Sequence, residues 1–430
     1  MLNLVILGGG KGERLKTTFK KSKILAKVSN KTLLNICLDE YNFIKNKYLI
    51  INEKQNDIKK YVKKNLDKKV KILTEKKYLG DGGALSNLKQ ITNYKNKKFL
   101  VIYGDLISSV DIERFYKSHL KNSSLISIIC HPNTHPFDSD LVDCNDNGKV
   151  KKFHFKPHKT KTIGNLALSG IYIIDGKIIP RIKKKKTKLK DILLTNFRHI
   201  NIYRTREFIK DLGTTKRLLH FRRKNNIADI KLLNFKKKIP AIFLDKDGVI
   251  NKENTNDNYH NIFNFFPKTI AALKKATKMK YILIIITNQP AVAKGQLKIS
   301  QLENMFKEFL TISSNSEIKI YKIYFCPHHP DKGFKGEIKK LKIKCKCRKP
   351  NSGMIEKAIK EFNIDRKESI FIGNHLRDYL ASTKAKIKYL HIYNKRKIKF
   401  VRNNKQFNNL YNAINFIKKK NDNYKNSCQN

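Results

Sequence analysis

Two α/β domains, each opened by an apolar strand that runs into a glycine loop, are what the 430-residue sequence predicts. Three observations predict them. Apolar runs ending in glycine open both halves of the chain, amphipathic stretches alternate with further apolar runs in each, and the texture changes once, between about residues 225 and 238.

In order, LNLVILG at residues 2–8 is a short apolar run ending in glycines, the mark of a buried strand feeding a loop and helix. Residues 57–69 and 111–120 read as amphipathic helices, and FLVIYGD is a second strand ending at Asp105. The alternation continues to about Asp211, which argues for a parallel α/β sheet over a first domain at 1–224. From about Arg222 the chain is basic and lacks a sustained apolar period, so 225–238 reads as a basic linker. IPAIFLDKDG then opens a second α/β region, which runs through YILIIITNQ and SIFIGN and occupies 239–395. Residues 396–430 form a Lys/Asn-rich tail with one helix around Leu410–Ile417 and a frayed end. No internal repeat is present.

Composition bounds the function. With 40% hydrophobic residues the chain can bury real cores, which excludes wholesale disorder. The longest apolar run, YILIII at 281–286, is far short of the ~20 residues of a membrane span. The first fifteen residues, MLNLVILGGGKGERL, enter a glycine loop with no cleavage signal, so the expectation is a cytoplasmic protein without a membrane partner. Lys and Arg number 93 against 35 Asp and Glu, a formal charge of +58. Runs at Lys183–Lys186, Lys236–Lys238 and Lys418–Lys420 raise nucleic acid as a partner. The lysines are nonetheless spread over the whole chain among Asn and Ile, as an AT-rich genome imposes on any solvated surface, and no arginine cluster is present to read bases. Nucleic acid is therefore not the expected partner, while anionic substrates would be drawn in by the field.

Cys37, Cys130, Cys144 and Cys428 are scattered and carry no assigned role, whereas Cys326, Cys345 and Cys347 gather around His328. CPHHP at 326–330 and CKC at 345–347 give C-x-H, a loop, then C-x-C. Three thiolates and one imidazole make the closed tetrahedral shell of a structural Zn²⁺ site, with His329 as the competing imidazole.

In the first half, GGGKGERL at 8–15 follows a strand, so its backbone can approach a phosphate closely. Lys23 follows in KKSKIL, a second glycine turn, LGDGGAL, occupies 79–85, and YGD sets Asp105 at the carboxyl end of a strand, the edge where open α/β sheets bind ligands. These pieces, in this order over roughly residues 1–220, resemble the sugar-phosphate nucleotidyltransferases, and in texture the D-glycero-D-manno-heptose 1-phosphate guanylyltransferases. The resemblance implies a Rossmann-like mixed sheet in which Gly9, Gly10, Gly12 and Arg14 hold the triphosphate and Lys23 neutralises charge at the attacked phosphorus. It also implies that Gly82 and Gly83 face the base or sugar, that Asp105 and Asp211 hold Mg²⁺, and that Lys156 in FKP binds the sugar phosphate. The chain departs from the family pattern at Glu13, Ser22 and Phe155, where the family has Thr, Pro and Glu.

In the second half, Asp245 and Asp247 follow an apolar strand in FLDKDGVIN, with TNQ at 287–289 and RKP at 348–350 behind them. One carboxylate can attack phosphorus and form an aspartyl-phosphate while its partner protonates the leaving alcohol and then activates water. A hydroxyl donor and then a cation, in that order, can hold the transferred phosphoryl group. These motifs, with YHNIFNFFP, TNQPAVAKG, CPHHP and CxCRKP over about residues 240–393, resemble the haloacid-dehalogenase superfamily. Within it they are similar to the D-glycero-D-manno-heptose 1,7-bisphosphate phosphatases and the related histidinol-phosphate phosphatases. The resemblance implies a Rossmannoid sheet with a zinc-binding loop, with Asp245 as nucleophile and Asp247 as acid/base. Thr287 and Asn288 would hold phosphoryl oxygens, Lys349 would neutralise the aspartyl-phosphate and Arg348 would grip the distal part of the substrate. Mg²⁺ would be held by Asp245, the Asp247 carbonyl, Asn374 and Asp378, with Asn374 standing where the family's GDxxxD has its first Asp. His375 and Pro290 are further departures.

The two resemblances imply consecutive steps: a phosphatase that frees the 7-hydroxyl of a heptose 1,7-bisphosphate, and a transferase that joins the α-anomer of the 1-phosphate to a nucleotide, GTP being the expected donor. Two other readings stay open here. One pairs a histidinol-phosphate or other monoester phosphatase with a transferase using CTP or UTP; the other is a basic nucleic-acid-binding protein in which Glu13, Phe155 and Asn374 mark impaired sites. Oligomeric state is not legible.

Overall fold

The computed structural model describes residues 2–10, 22–66, 68–224, 230, 233–252, 264–393 and 405–427. Contacts divide the chain into two compact units, one made of 1–131, 142–155 and 167–235, the other of 132–141, 156–166 and 236–430.

The first unit is built on a nine-stranded mixed sheet. Its centre is β1 (Leu2–Leu7), with β2 (Lys47–Asn52) parallel on one side and β3 (Lys71–Glu75) beyond it. On the other side β4 (Lys98–Tyr103) is parallel to β1, and β5 (Leu166–Asp175) runs antiparallel to β4. Successive β1 residues Leu4, Val5 and Ile6 are fully buried, so both faces of the strand are covered and its apolar run is continuous rather than alternating. The sheet therefore diverges to either side of β1, and the loop that leaves its carboxyl end sits where ligands bind in such folds. A small antiparallel pair, Leu106–Ser108 with Ile209–Asp211, lies outside the main sheet and sets Asp211 opposite Leu106.

The second unit carries a six-stranded sheet that is parallel throughout. Its central strand β6 (Ala241–Leu244) lies between β7 (Ile282–Asn288), followed by β8 (Ile320–Cys326), and β9 (Ile370–Gly373), followed by β10 (Lys388–Ile392) and β11 (Gln406–Phe407). Alternation assigns the side chains to two cores: Ile242, Leu244, Leu283 and Ile285 face one, while Ala241, Phe243, Ile284 and Ile286 face the other. The chain reverses its direction of travel across the sheet at β6, so the crevice between the ends of β6 and β9 is this unit's switch point.

The helix expected around Leu410–Ile417 is present and runs Leu410–Ser427: Leu410, Ala413, Ile414 and Ile417 recur at helical spacing and pack into the first of these cores beside Ala272, Leu273 and Ala276. Two expectations about organisation are corrected. The segment read as a linker is partly packed, since Ile230 is buried with Leu212, Leu218 and Phe221, and Phe235 lies against the Arg114 guanidinium. Residues 132–141 and 156–166, placed by sequence in the first domain, belong by contact to the second unit. There the N–H groups of Ile163 and Gly164 donate to Thr311 Oγ1 at 3.2 and 2.9 Å, and Asn165 Nδ2 donates to the Ile320 carbonyl at 2.9 Å. Short polar bonds across a large sequence separation leave no periodic trace, which is why pattern reading assigned these residues to their sequence neighbours.

Candidate active sites

In the first unit a cavity of about 820 Å³ opens at the carboxyl end of β1. Gly8, Gly9 and Gly10 form one wall, with Lys23, Glu75, Asp81, Tyr103, Asp105 and Gly213 around them. A Cβ on Gly9 would stand 2.8 Å from Glu75 Oε1, whereas among the described residues no atom lies within 4 Å of one on Gly10. Close packing thus explains Gly9, and Gly10 faces open space of the kind a phosphate needs. Gly12, Glu13 and Arg14 lie outside the described residues.

Lys23, Asp105 and Asp211 converge as expected. Lys23 leads a short 3₁₀ turn pinned by the buried side chains of Ile24 and Leu25, and the Ser22 N–H and hydroxyl hold the Asp57 carboxylate at 2.5 and 2.9 Å. Ser22 thereby ties down the turn that presents the lysine, a fixing role for a residue that departs from the family's Pro. Lys23 Nζ forms an ion pair with Asp105. Asp211 accepts from the Gly213 N–H at 2.5 Å and from Arg217 Nη1 at 2.6 Å. A Cβ on Gly213 would be 2.5 Å from Lys23 Nζ, 2.6 Å from Asp211 Oδ1 and 2.9 Å from Asp105 Oδ2, so only glycine permits this convergence.

Burial pushes the Asp105 carboxyl up; Lys23 pulls against it and the Asp211 carboxylate adds to the rise. In Asp211 burial is outweighed by the hydrogen bonds from Asp105 and the Gly213 N–H and by the charges of Lys23 and Arg217, so its carboxyl lies below the usual range. The Asp105 and Asp211 carboxylates lie within hydrogen-bonding reach of each other, an oxygen donor set of the kind a hard divalent cation takes.

Three residues assigned to this site are placed elsewhere. Gly82 and Gly83 do not line the cavity: both N–H groups donate to the Thr187 carbonyl at 3.1 Å, and a Cβ on either would overlap the backbone of residues 185–188. Their smallness serves close packing, and their neighbours Gly80 and Asp81 reach the cavity instead. Lys156 is not among the lining residues; its Nζ donates to the Asp138 carbonyl at 2.7 Å and its N–H to Asp140 at 2.9 Å. Residues that sequence reasoning missed take the vacated wall. Lys186, Lys188 and Lys190 line the cavity on a segment held by the Thr187 bonds, so part of the basic run dismissed as composition faces the site. Phe155 stacks on Phe153 at 5.3 Å between centroids, with Lys190 Nζ 5.8 Å from its ring.

In the second unit Asp245 follows β6, and its N–H continues the ladder to the Ile372 carbonyl at 3.0 Å. The side chain is almost wholly buried. Lys349 meets it there, and all three ammonium protons are used: Nζ lies 2.8 Å from Asp245 Oδ1, 2.7 Å from Asp378 Oδ1 and 3.0 Å from the Ile286 carbonyl. Burial and the Asp378 carboxylate raise the Asp245 carboxyl to about 7 against the pull of Lys349. In Lys349 burial is outweighed by the two carboxylates, which hold its ammonium charged above the usual range. A buried carboxyl raised in this way is favoured in its charged form by a nearby cation, and carboxylate and amide oxygens are of the kind Mg²⁺ takes.

Asp378, expected as a metal ligand, is engaged by its neighbours: its Oδ1 is on Lys349, and its Oδ2 accepts the N–H groups of Asn374 at 3.2 Å and His375 at 3.0 Å, capping the helix Leu376–Lys384. Asp245, the Asp247 carbonyl and Asn374 are the other oxygen donors expected to hold a cation. Asn374 reaches the nucleophile loop directly, since a Cβ on Gly248, whose φ is +80°, would overlap its amide. The Asn288 amide clamps the Lys349 backbone, Nδ2 donating to the carbonyl and Oδ1 accepting the N–H, both at 3.0 Å. Thr287 is buried, and its Oγ1 accepts from Gln289 Nε2 at 2.9 Å. Arg348 Nη1 donates to the His328 carbonyl at 3.1 Å.

The cysteine cluster assembles. Cys326 Sγ lies 3.5 Å from His328 Nδ1 and 3.6 Å from Cys345 Sγ, while Cys347 Sγ lies 3.2 Å from His328 Nδ1, 3.3 Å from Cys326 Sγ and 3.2 Å from Cys345 Sγ. Four ligands bound tetrahedrally to one Zn²⁺ stand roughly 3.5–3.8 Å apart, so these atoms need move only tenths of an ångström. His329 is not part of this cluster, and its Nδ1 accepts the Asp331 N–H at 3.2 Å. The purified chain is expected to carry one zinc per molecule by elemental analysis. Cys347→Ser should remove it and lower phosphatase turnover about 10²-fold, since Arg348 and Lys349 follow Cys347 directly and misplacement by about an ångström has that effect.

Residues 3–226, just over half the chain, match the nucleotidyl transferase family, and residues 239–417 match the polynucleotide kinase 3 phosphatase family. The D-glycero-alpha-D-manno-heptose-1,7-bisphosphate 7-phosphatase of Photorhabdus laumondii is 40% identical over 153 residues, 35% of this chain and 80% of that protein. The D-glycero-beta-D-manno-heptose-1,7-bisphosphate 7-phosphatase of Salmonella typhi is 34% identical over 151 residues, 35% of this chain and 78% of that protein. Among solved structures, HddC from Yersinia pseudotuberculosis is similar at 25% identity and a TM-score of 0.45, covering 52% of this chain and 99% of its own. No helix among the described residues is long and apolar enough to cross a membrane. The chain belongs to two families in succession, the nucleotidyl transferases over residues 3–226 and the heptose-1,7-bisphosphate 7-phosphatases over its second half.

Proposed function

We propose that the chain is a bifunctional enzyme that hydrolyses the 7-phosphate of D-glycero-D-manno-heptose 1,7-bisphosphate and then transfers a nucleotidyl group to the resulting heptose 1-phosphate. The observation that carries this reading is the pairing itself: a 7-phosphatase leaves a sugar 1-phosphate, the substrate class of the nucleotidyl transferase to which it is fused. GTP as donor and the α-anomer as substrate follow from the resemblance of the first half to guanylyltransferases. A nucleoside triphosphate substrate goes with the cytoplasmic location expected from the sequence.

In the phosphatase, Asp245 attacks the 7-phosphorus and forms an aspartyl-phosphate. Asp247 gives its proton to the departing 7-oxygen, and then takes one from the water that cleaves the acyl-phosphate. Lys349 stands against the attacking carboxylate and offsets negative charge as it passes to the phosphoryl oxygens. Mg²⁺, when bound by Asp245, the Asp247 carbonyl and Asn374, adds charge neutralisation at the phosphoryl group.

In the transferase, the 1-phosphate oxygen attacks the α-phosphorus in line and pyrophosphate leaves, so the protein's task is positioning and charge neutralisation. Gly9 and Gly10 cradle the triphosphate, and Lys23 neutralises the attacked phosphorus. Lys188 and Lys190 replace Lys156 as cations for the sugar phosphate, because they line the cavity and Lys156 does not. Asp105 and Asp211 would hold a divalent cation, which would supply further charge neutralisation at the phosphates. Asp105→Asn should lower pyrophosphate release by about 10²–10³-fold with phosphate release unchanged.

The test supplies α- and β-heptose 1,7-bisphosphate to the purified chain without nucleotide, and heptose 1-phosphate separately with GTP, CTP, UTP or ATP. Release of one phosphate with the 1-phosphate retained, and pyrophosphate formed with GTP, are the expected results. Retention of both phosphates with rapid hydrolysis of histidinol phosphate would overturn the substrate assignment.

A further inference from the structure

We infer that Gln289 is a positioning residue that holds the acid/base Asp247 and the phosphoryl-binding Thr287 in one working geometry. The inference rests on the phosphatase reading above. Gln289 follows β7, and its N–H donates to the Cys326 carbonyl at 2.8 Å, so its backbone is fixed by the sheet ladder. Its side chain is buried, and Nε2 spends both protons inside the site: one on Asp247 Oδ2 at 3.1 Å, one on Thr287 Oγ1 at 2.9 Å. The other oxygen of Asp247, Oδ1, takes the Lys246 ammonium and, at 3.0 Å, Asn251 Nδ2.

The two ends of the carboxylate are therefore held differently. Lys246 and Asn251 come from the same loop as Asp247, whereas Gln289 ties the carboxylate to the neighbouring strand. That contact fixes the carboxylate plane relative to the phosphoryl group held by Thr287. Because Thr287 Oγ1 accepts from Gln289, its own hydroxyl proton is free to point at a phosphoryl oxygen. A proton donor aimed by one buried amide on a sheet loses little freedom on reaching the transition state, the condition under which orientation contributes most.

Leaving-group dependence separates positioning of the acid from mere support of the fold. An aryl phosphate such as p-nitrophenyl phosphate expels a stable phenolate and needs no proton, while the heptose 7-oxygen must be protonated as it leaves. In Gln289→Leu, kcat/KM for the heptose bisphosphate should fall about 10²-fold, the size of a general-acid contribution, while kcat/KM for p-nitrophenyl phosphate falls at least tenfold less. Gln289→Glu keeps the shape but cannot donate, and should reproduce the selectivity. Zinc content and pyrophosphate release serve as checks that both variants are folded. An equal loss on both substrates, or no loss on either, overturns the inference. If the parent chain hydrolyses neither substrate, the phosphatase reading falls, and this inference with it.

Discussion

Asp245→Asn should abolish phosphate release, by on the order of 10⁴-fold or more, because the amide keeps the shape of the side chain but is not a nucleophile at phosphorus. The same change leaves Lys349 with Asp378 and the Ile286 carbonyl, two of its three acceptors, so the buried ammonium keeps a counter-charge and the fold survives. The nucleotidyl transferase residues belong to the other compact unit, so pyrophosphate formation from supplied heptose 1-phosphate should stay within about twofold of the parent chain. A phosphate assay and a pyrophosphate assay on one preparation read both effects. Loss of both activities together would indicate that the substitution acts on folding.

Lys349→Met should be the more damaging substitution to stability. It leaves the Asp245 and Asp378 carboxylates facing each other with both side chains at most 4% exposed and no cation between them. Breaking a buried ion pair from one side costs about 3–5 kcal/mol. Asp245, already at about 7 through burial and Asp378, should rise further, so that the nucleophile is held protonated and turnover falls by at least about 10³-fold. The sign in pH follows: a carboxyl raised in the folded state favours folding where it is protonated and loses that contribution as pH climbs through its folded value. The variant's melting temperature should accordingly fall more steeply between pH 5 and pH 8 than the parent's. A variant as stable and as pH-insensitive as the parent would mean that Lys349 does not hold the two acids together.

How much of this was legible in the sequence depends on the range of the interaction. Motifs confined to one strand end were readable: DKD and TNQ each place chemistry within a few residues, the C-x-H and C-x-C pairs carry ligand spacing although a loop separates them, and Asp245 and Lys349, and the Cys326, His328, Cys345, Cys347 set, come together. What failed was the direction of a side chain within a recognised motif. Asn288 is turned to the Lys349 backbone, Asp378 to a lysine and a helix cap, and Lys156 to the Asp138 carbonyl, although each sits in the segment that resemblance singled out. Spacing fixes where a backbone goes but not which of several near partners a rotamer selects. Gln289 was overlooked for the converse reason. An amide carries no charge and no obvious reactivity, and only its two bonds to Asp247 and Thr287 reveal a role. The basic run at 183–190 shows the limit of a compositional argument. In a chain of this charge most lysines are solvated, and it is the bonds of Thr187 to Leu79, Gly82 and Gly83 and of Leu189 to Asp81 that hold this stretch at the cavity.

The most direct test of the two-step account is a single-vessel time course with the α-bisphosphate, GTP and Mg²⁺, following phosphate, pyrophosphate and nucleotide-sugar together. The account predicts that phosphate appears first, that pyrophosphate and GDP-heptose follow in equal amounts, and that Asp245→Asn forms neither until heptose 1-phosphate is supplied. Pyrophosphate and a nucleotide-sugar still carrying the 7-phosphate, formed at the parent rate by Asp245→Asn, would contradict it.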